Sequence, residues 1–220
     1  MRIITAILFT LIAPIALASG GGGGMSAPMS QPESKSPAQL AVDSYNRGIR
    51  NRDKAWKYQA QAAKSDNPKK IAKFEKKALK QFTNAAKRFR AAIKHNSNLY
   101  QAHSSLGYAL RKTGDYTASL AAYDRAIAMN PRYGEAIEYR GETYLALGEL
   151  DKTREAYLQL VKIDPKLAGE LMTAIQHWLD SSPETVTGDK LQSFKAWASD
   201  RLALAEYLPS SSSADHWRQP

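Results

Sequence analysis

The chain has 220 residues, 43% of them apolar and 24% charged, with no cysteine and a formal charge of +10. That composition excludes a disordered polymer, a disulfide-stapled scaffold and any thiolate metal or redox site. The length suffices for one or two ordinary domains whose core needs no staple.

Residues 1–18 read as an export signal: Arg2 precedes a mostly apolar run from Ile3 to Ala18 that closes on Ala16-Leu17-Ala18. Pro14 interrupts the run and no basic cluster follows it, which argues against a retained anchor. No cysteine follows the expected cleavage point, so lipid attachment of the bacterial lipoprotein type is not available. The mature chain is expected to be periplasmic or secreted, where a cysteine-free protein avoids oxidative pairing. Residues 19–37, with the glycine run Gly20 to Gly24 and scattered Ser and Pro, are expected to form a flexible linker. A phosphate loop would need a preceding strand and a following Gly-Lys-Ser/Thr, and neither is present.

From Ala38 onward the apolar spacing is helical and strand-like alternation is missing. Between Leu40 and Ala63, apolar residues at Tyr45, Ile49, Trp56, Ala60 and Ala63 keep to one face. Ser65-Asp66-Asn67-Pro68 breaks that helix. A second is predicted from Lys69 to about His95, with Ile71, Phe74, Ala78, Phe82, Ala85, Phe89 and Ala92 on its buried stripe. So short a connection implies an antiparallel hairpin over residues 38–99.

An internal repeat follows. Asn130-Pro131 recurs as Asp164-Pro165, and at the same offset Gly107 meets Gly141, Gly114 meets Gly148, Ala122 meets Ala156 and Tyr123 meets Tyr157. Each unit reads helix, glycine turn, helix, proline stop, the pattern of a stacked array. On these residues the chain resembles the tetratricopeptide repeat family, with one repeat over residues 100–133 and another over 134–167. Repeat one matches through Leu106-Gly107, Tyr123, Ala126 and Pro131, and repeat two through Gly141, Tyr144, Tyr157 and Pro165. Departures are His103 and Ile137 at the usual tryptophan position, Arg140 for leucine, and Ser119 and Thr153 where a small alanine is usual.

Two repeats rarely bury a stable core, so the flanks should supply more. Gly48 stands where Gly107 stands, and Ala85, Phe89, Ala92 and Ile93 fit second-helix positions. The interval that runs from Gly107 to the second-helix Ser119 in repeat one stretches from Gly48 to Ala85 in the hairpin. The hairpin is therefore expected to be a degenerate first repeat, its interval longer by roughly 25 residues and each arm by about 18 Å at 1.5 Å per residue. Residues 168–208 should form capping helices, one carrying Leu171, Ile175 and Trp178, the other opened by an Asp189 cap with Gln192. Residues 209–220 are expected to be a mobile tail. The expected fold is all-α, a right-handed stack of antiparallel helix hairpins.

Charge is segregated. Residues 35–99 hold 17 basic and 4 acidic residues, net +13, while residues 100–220 hold 13 basic and 16 acidic, net −3. Lys64, Lys69, Lys70, Lys73, Lys76, Lys77 and Lys80 crowd the projecting half of the hairpin. These form a basic arm that either solubilises two long helices or meets an anionic partner.

Catalysis finds little support. His95, His103, His177 and His216 are scattered, and no nucleophile motif or metal-ligand spacing is present. Glu135, Glu138 and Glu142 share a helix face, a spacing too common to imply acid-base chemistry. No enzyme activity, cofactor or metal is expected.

The resemblance implies a groove lined by the first helix of each repeat and filled by a segment of another protein. Its lining would be Gln101, Ser104, Tyr108, Arg111 and Lys112 from repeat one, with Glu135, Glu138, Glu142 and Leu145 from repeat two. This mixed set does not match the lysine and asparagine clamp by which some relatives hold a C-terminal carboxylate. The first expectation is thus an exported protein-interaction scaffold. The alternative is an envelope-associated protein whose basic hairpin contacts anionic lipid or polysaccharide. Nucleic acid suits the charge but not the expected location, and no module for it is recognisable.

Overall fold

The computed structural model describes residues 35–181 and 186–207. The expected signal peptide at 1–18, nearly all of the linker and the tail at 209–220 lie outside these residues. The described chain is all-α, with eight helices and no strand.

Helix α1, Pro37–Ala63, begins in a capping box. The Gln39 N–H donates to Ser36 Oγ at 3.2 Å and the Ser36 N–H to Gln39 Oε1 at 2.8 Å, satisfying two donors that a helix start leaves open. Pro37 is thus the first helical residue and not part of the linker, because its fixed φ suits that position. The Asn67 carboxamide opens α2, Pro68–His95, by accepting from the Lys69 and Lys70 N–H groups at 3.0 and 3.2 Å. The two helices are 27 and 28 residues long, against 13 or 14 for each of the next four.

Those four are α3, Tyr100–Lys112, α4, Tyr116–Met129, α5, Gly134–Ala146, and α6, Leu150–Ile163. Gly114 and Gly148 turn α3 into α4 and α5 into α6 at φ +85° and +72°, a region closed to most side chains. Asp115 caps α4 and Asp164 caps α7, Pro165–Asp180, each through a side-chain oxygen. In the last helix, α8, Asp189–Tyr207, the Leu191 and Gln192 N–H groups donate to the Gly188 carbonyl. Asp189 therefore lies inside the first turn, and the cap position belongs to Gly188, whose φ is +72°.

The buried residues fall into four clusters that succeed one another along the hairpins. Phe89 is fully buried among Ala85, Ala86, Leu106, Ala109 and Leu110, joining α2 to α3, and Tyr123 is buried with Ala126 and Ala136. Burying one such side chain contributes about 1.5–3 kcal/mol. Ile137, Leu145, Leu150, Leu160, Leu171 and Ile175 then form the cluster that carries Phe194 of α8. The stripe expected on α1 is displaced: Ala60 and Ala63 are exposed, and Gly48, Arg52, Ala55 and Ala62 are buried instead. The α1–α2 seam is narrow here, with Ala55 opposite Ala78 and Phe82, and Tyr108 of α3 packs against the same cluster.

Glycine seats fix the register. A Cβ on Gly48 would lie 2.5 Å from the Phe89 ring, and one on Gly107 would lie 2.7 Å from the Tyr123 ring. The departures at Ser119 and Thr153 also have physical accounts. Both are buried; the Ser119 hydroxyl donates to the Gly107 carbonyl at 2.8 Å, and the Thr153 hydroxyl donates at 3.2 Å to the carbonyl of Glu149, the cap residue of its own helix.

Candidate functional site

The first helix of each unit, α1, α3 and α5, lies beside the next, and side chains link the three. Trp56 Nε1 of α1 donates to the Tyr108 hydroxyl of α3 at 2.7 Å. The Tyr108 ring meets those of Trp56, Phe82 and Tyr139 at centroid distances of 5.9, 6.0 and 5.1 Å. Burial pushes its phenol above the ordinary value, against the opposing pull of the Trp56 hydrogen bond and Arg111. Tyr108 is therefore a packing residue that joins the hairpin to the repeats, not a free ligand contact.

Arg111 of α3 and Glu142 of α5 form an ion pair in which the two side chains are 14% and 22% exposed. The guanidinium lies 5.4 Å from the Tyr108 centroid and 5.8 Å from that of Tyr139, within cation-π range. Burial by itself would lower the Arg111 pKa, yet the carboxylate of Glu142 and the neighbouring Tyr123 and Tyr108 carry it above the usual arginine value. Lys112 sits next to this pair with its Nζ 5.6 Å from the Tyr108 centroid. Burial first and Arg111 second depress its pKa, Glu142 only partly opposing them. No ion pair among the described residues involves Lys112.

Toward the start of α3 and α5 the surface is aromatic and acidic. The Tyr133 hydroxyl donates to Glu135 Oε2 at 2.8 Å, and its ring meets Tyr100 edge-on at 4.9 Å. Burial and the adjacent Glu135 carboxylate raise the Tyr133 pKa. Burial likewise raises the pKa of Tyr45 of α1, with the neighbouring Ser105 opposing it.

Of the nine groove positions expected from the sequence, Gln101, Tyr108, Arg111, Lys112, Glu135 and Glu142 are half-buried along this face. Ser104, Glu138 and Leu145 are buried, with only 2%, 2% and 4% exposure, and so offer no open contact. Leu145 belongs to the core of the second repeat. Sequence reasoning missed the contribution of α1. Arg52 stands one helical turn after Gly48 as Arg111 stands one turn after Gly107; its side chain is buried, bonds Asp53 Oδ1 through Nε and Nη2 at 3.1 and 2.8 Å, and lies 4.2 Å from the Trp56 ring centroid. Carrying the repeat register back from Gly107 to Gly48 would have found it.

The seven lysines of the basic arm are all exposed. Lys77 lies 5.3 Å from the Tyr58 centroid. Among the described residues no cluster of His, Asp or Glu could hold a metal ion, and no helix is long and apolar enough to cross a membrane.

The family model described as tetratricopeptide repeat matches residues 76–131 and 104–168. Residues 76–168 thus carry tetratricopeptide repeats. The matched segment runs from Lys76 within α2 to the start of α7, the part that holds the Gly107 and Gly141 seats. Similar solved structures include two of MamA. One is 22% identical with a TM-score of 0.43, covering 73% of this chain and 97% of that one; the other is 21% identical with a TM-score of 0.44, covering 78% and 97%. A third is the first TPR of Spaghetti (RPAP3) bound to the HSP90 peptide SRMEEVD, 15% identical with a TM-score of 0.43, covering 60% of this chain and 94% of that one. No curated protein sequence matches the chain. The repeats are a protein-interaction scaffold, and no feature described above points to an enzyme.

Proposed function

We infer that the face shared by α1, α3 and α5 holds an acidic segment of an exported partner protein. The observation that carries this reading is Lys112, a half-buried cation without an ion-pair partner among the described residues, set beside a paired Arg111 and a floor of aromatic rings. A charge held there is poorly solvated, and an incoming carboxylate would compensate it at low cost in reorganisation. Gln101, half-buried near the other end of the same helices, would flank the segment, and Glu135 there would meet a neutral or basic residue of it. Export rests on the pattern of residues 1–18, which would bring chain and partner together outside the cytosol.

The test is site-specific photocrosslinking in intact cells. A photoreactive residue at Gln101 is expected to give one adduct of discrete mass, while one at Arg125, exposed on α4, gives none. Lys112→Gln should abolish the Gln101 adduct with helicity unchanged. Adducts of equal yield from Arg125 and Gln101 would exclude this face as the binding surface.

A further inference from the structure

The outward faces of the two long helices carry a pattern that the groove does not use. Along α1, exposed cations recur at Arg47, Arg50, Lys54, Lys57 and Lys64 in steps of three, four, three and seven. Along α2 the row runs through Lys69, Lys73, Lys76 and Lys80, passes the exposed Thr83, and continues through Lys87, Arg90 and Lys94. Alternating steps of three and four keep each row on one helix face, so like charges stand next to one another. The α2 row spans roughly 38 Å at 1.5 Å per residue. α2 holds ten Lys and Arg residues but one carboxylate, Glu75, and no ion pair among the described residues involves any of these cations. A helix exposed only for solubility is served as well by mixed charges, whose pairs stabilise it where these repel.

Between the helices lies an open cleft of about 440 Å³ lined by Asn51 of α1 and Asn84, Lys87 and Arg88 of α2. Lys87 belongs to the α2 row, and Asn51 lies one turn from both Arg47 and Lys54 of the α1 row. The cleft thus joins the rows. Carboxamides donate to and accept from hydroxyl groups, whereas lysine and arginine meet anions. We propose that the hairpin binds an anionic polysaccharide, with hydroxyls of the chain in the Asn51 and Asn84 cleft and its acidic groups along the two rows.

Other polyanions fit less well. An interfacial helix draws on a continuous apolar face entering the lipid, and the buried apolar residues of α1 and α2 are turned onto each other and onto α3, with Val42 and Leu79 the exposed large aliphatic side chains on the two described helices. The aromatics beside the rows, Tyr58 and Phe74, are half-buried and stack on each other at 6.5 Å with Lys77 over them, which leaves them poorly placed to stack bases. The surface is separate from the Lys112 face, so either can fail without the other.

The experiment measures binding of the full chain to polygalacturonate, inorganic polyphosphate, duplex oligonucleotide and phosphatidylglycerol vesicles at several salt concentrations. Polygalacturonate is expected to bind most tightly at low salt, with affinity falling as screening shortens. Replacing Lys69, Lys73, Lys76 and Lys80 by glutamine should weaken that binding at least about tenfold, since each phosphate- or carboxylate-neutralising cation adds to the salt-dependent part of affinity. The charge-preserving pair Asn51→Ala with Asn84→Ala should weaken polygalacturonate binding and leave polyphosphate, which has no hydroxyls, unchanged. The four lysines are exposed, so their variant tests the proposal even if the asparagine variant folds poorly. Absence of low-salt binding to polygalacturonate overturns the proposal. So does tighter binding to vesicles or oligonucleotide, or a folded asparagine variant that binds polygalacturonate like the parent.

Discussion

The hairpin α1–α2 and the repeat α3–α4 share one contact and differ in almost everything around it. In both, a glycine of the first helix lies against an aromatic ring of the second, Gly48 on Phe89 and Gly107 on Tyr123. Yet the stretch of chain from Gly48 to Phe89 is more than twice as long as the one from Gly107 to Tyr123. The contact sets how two helices approach, and the chain between its partners is free to lengthen. We read the hairpin as a repeat with extended arms. In repeat two the seat changes occupant: Gly141 faces Leu171 of α7, while Tyr157 meets Trp197 of α8 edge-on at 5.3 Å. Helix α8 thus takes up the aromatic that would otherwise cover the glycine.

The largest effect should come from emptying the seats. Phe89→Ala and Tyr123→Ala should each cost about 3–5 kcal/mol, because both rings are fully buried in close-packed surroundings. Denaturant melts of the two variants are expected to give similar losses; a loss confined to Tyr123 would break the equivalence of hairpin and repeat.

Filling the seats sharpens the comparison. Gly48→Ala and Gly107→Ala drive a Cβ into a ring and should cost about 1–3 kcal/mol. At Gly141 the nearest atom is the far end of the flexible Leu171 side chain, 2.8 Å from the added Cβ, and the cost should be smaller. Equal melting shifts at all three positions would contradict the account of the displaced Tyr157.

Alkaline pH separates the regions again. Burial raises Tyr45, Tyr108, Tyr123 and Tyr133 above the ordinary 10.0. Above that pH the unfolded chain has lost phenolic protons that the folded chain retains, so stability must fall as pH rises. Lys112, whose pKa is lowered from 10.5, acts in the opposite sense: the unfolded chain binds more protons just below 10.5 and stability rises with pH there. Four tyrosines outweigh one lysine, and the melting temperature should drop between about pH 9 and pH 11. Tyr108→Phe should flatten that drop. The hairpin lysines predict the smallest change: exchanging Lys69, Lys73, Lys76 and Lys80 for glutamine should leave the melting temperature level or slightly raised, since like charges three or four apart cost roughly 0.2–0.5 kcal/mol per pair.

Much of the fold was legible because its punctuation is local. Pro68, Gly114, Asn130-Pro131, Gly148 and Asp164-Pro165 mark helix ends through backbone geometry that no distant residue overrides. The register was legible from the recurrence of Gly107 as Gly141 and of Tyr123 as Tyr157 at one fixed offset. The candidate site was less so. Tyr108 reads as a groove residue from repeat position, but its hydrogen-bond partner Trp56 lies 52 residues away on an arm with no repeat signal of its own. Glu138 and Ser104 share a helix face with half-buried neighbours, and spacing along the helix does not show that these two are the buried ones. Ala60 and Ala63 fit a helical stripe as well as Ala55 and Ala62 do; which pair faces α2 depends on the narrow seam, not on spacing.

The reading of the hairpin as an extended repeat is tested most directly by shortening it. Replacing the segment from Lys54 to Gln81 with Thr-Gly-Asp, the turn at Thr113-Gly114-Asp115, removes the excess length and restores the interval found in repeat one. The shortened chain should keep the Gly48 and Phe89 seat and unfold in a single cooperative transition by circular dichroism, at a lower temperature because Trp56 and Ala78 no longer support Tyr108. A chain that loses cooperativity, with α3 to α6 still helical and residues 37–53 unprotected in hydrogen exchange, would contradict it.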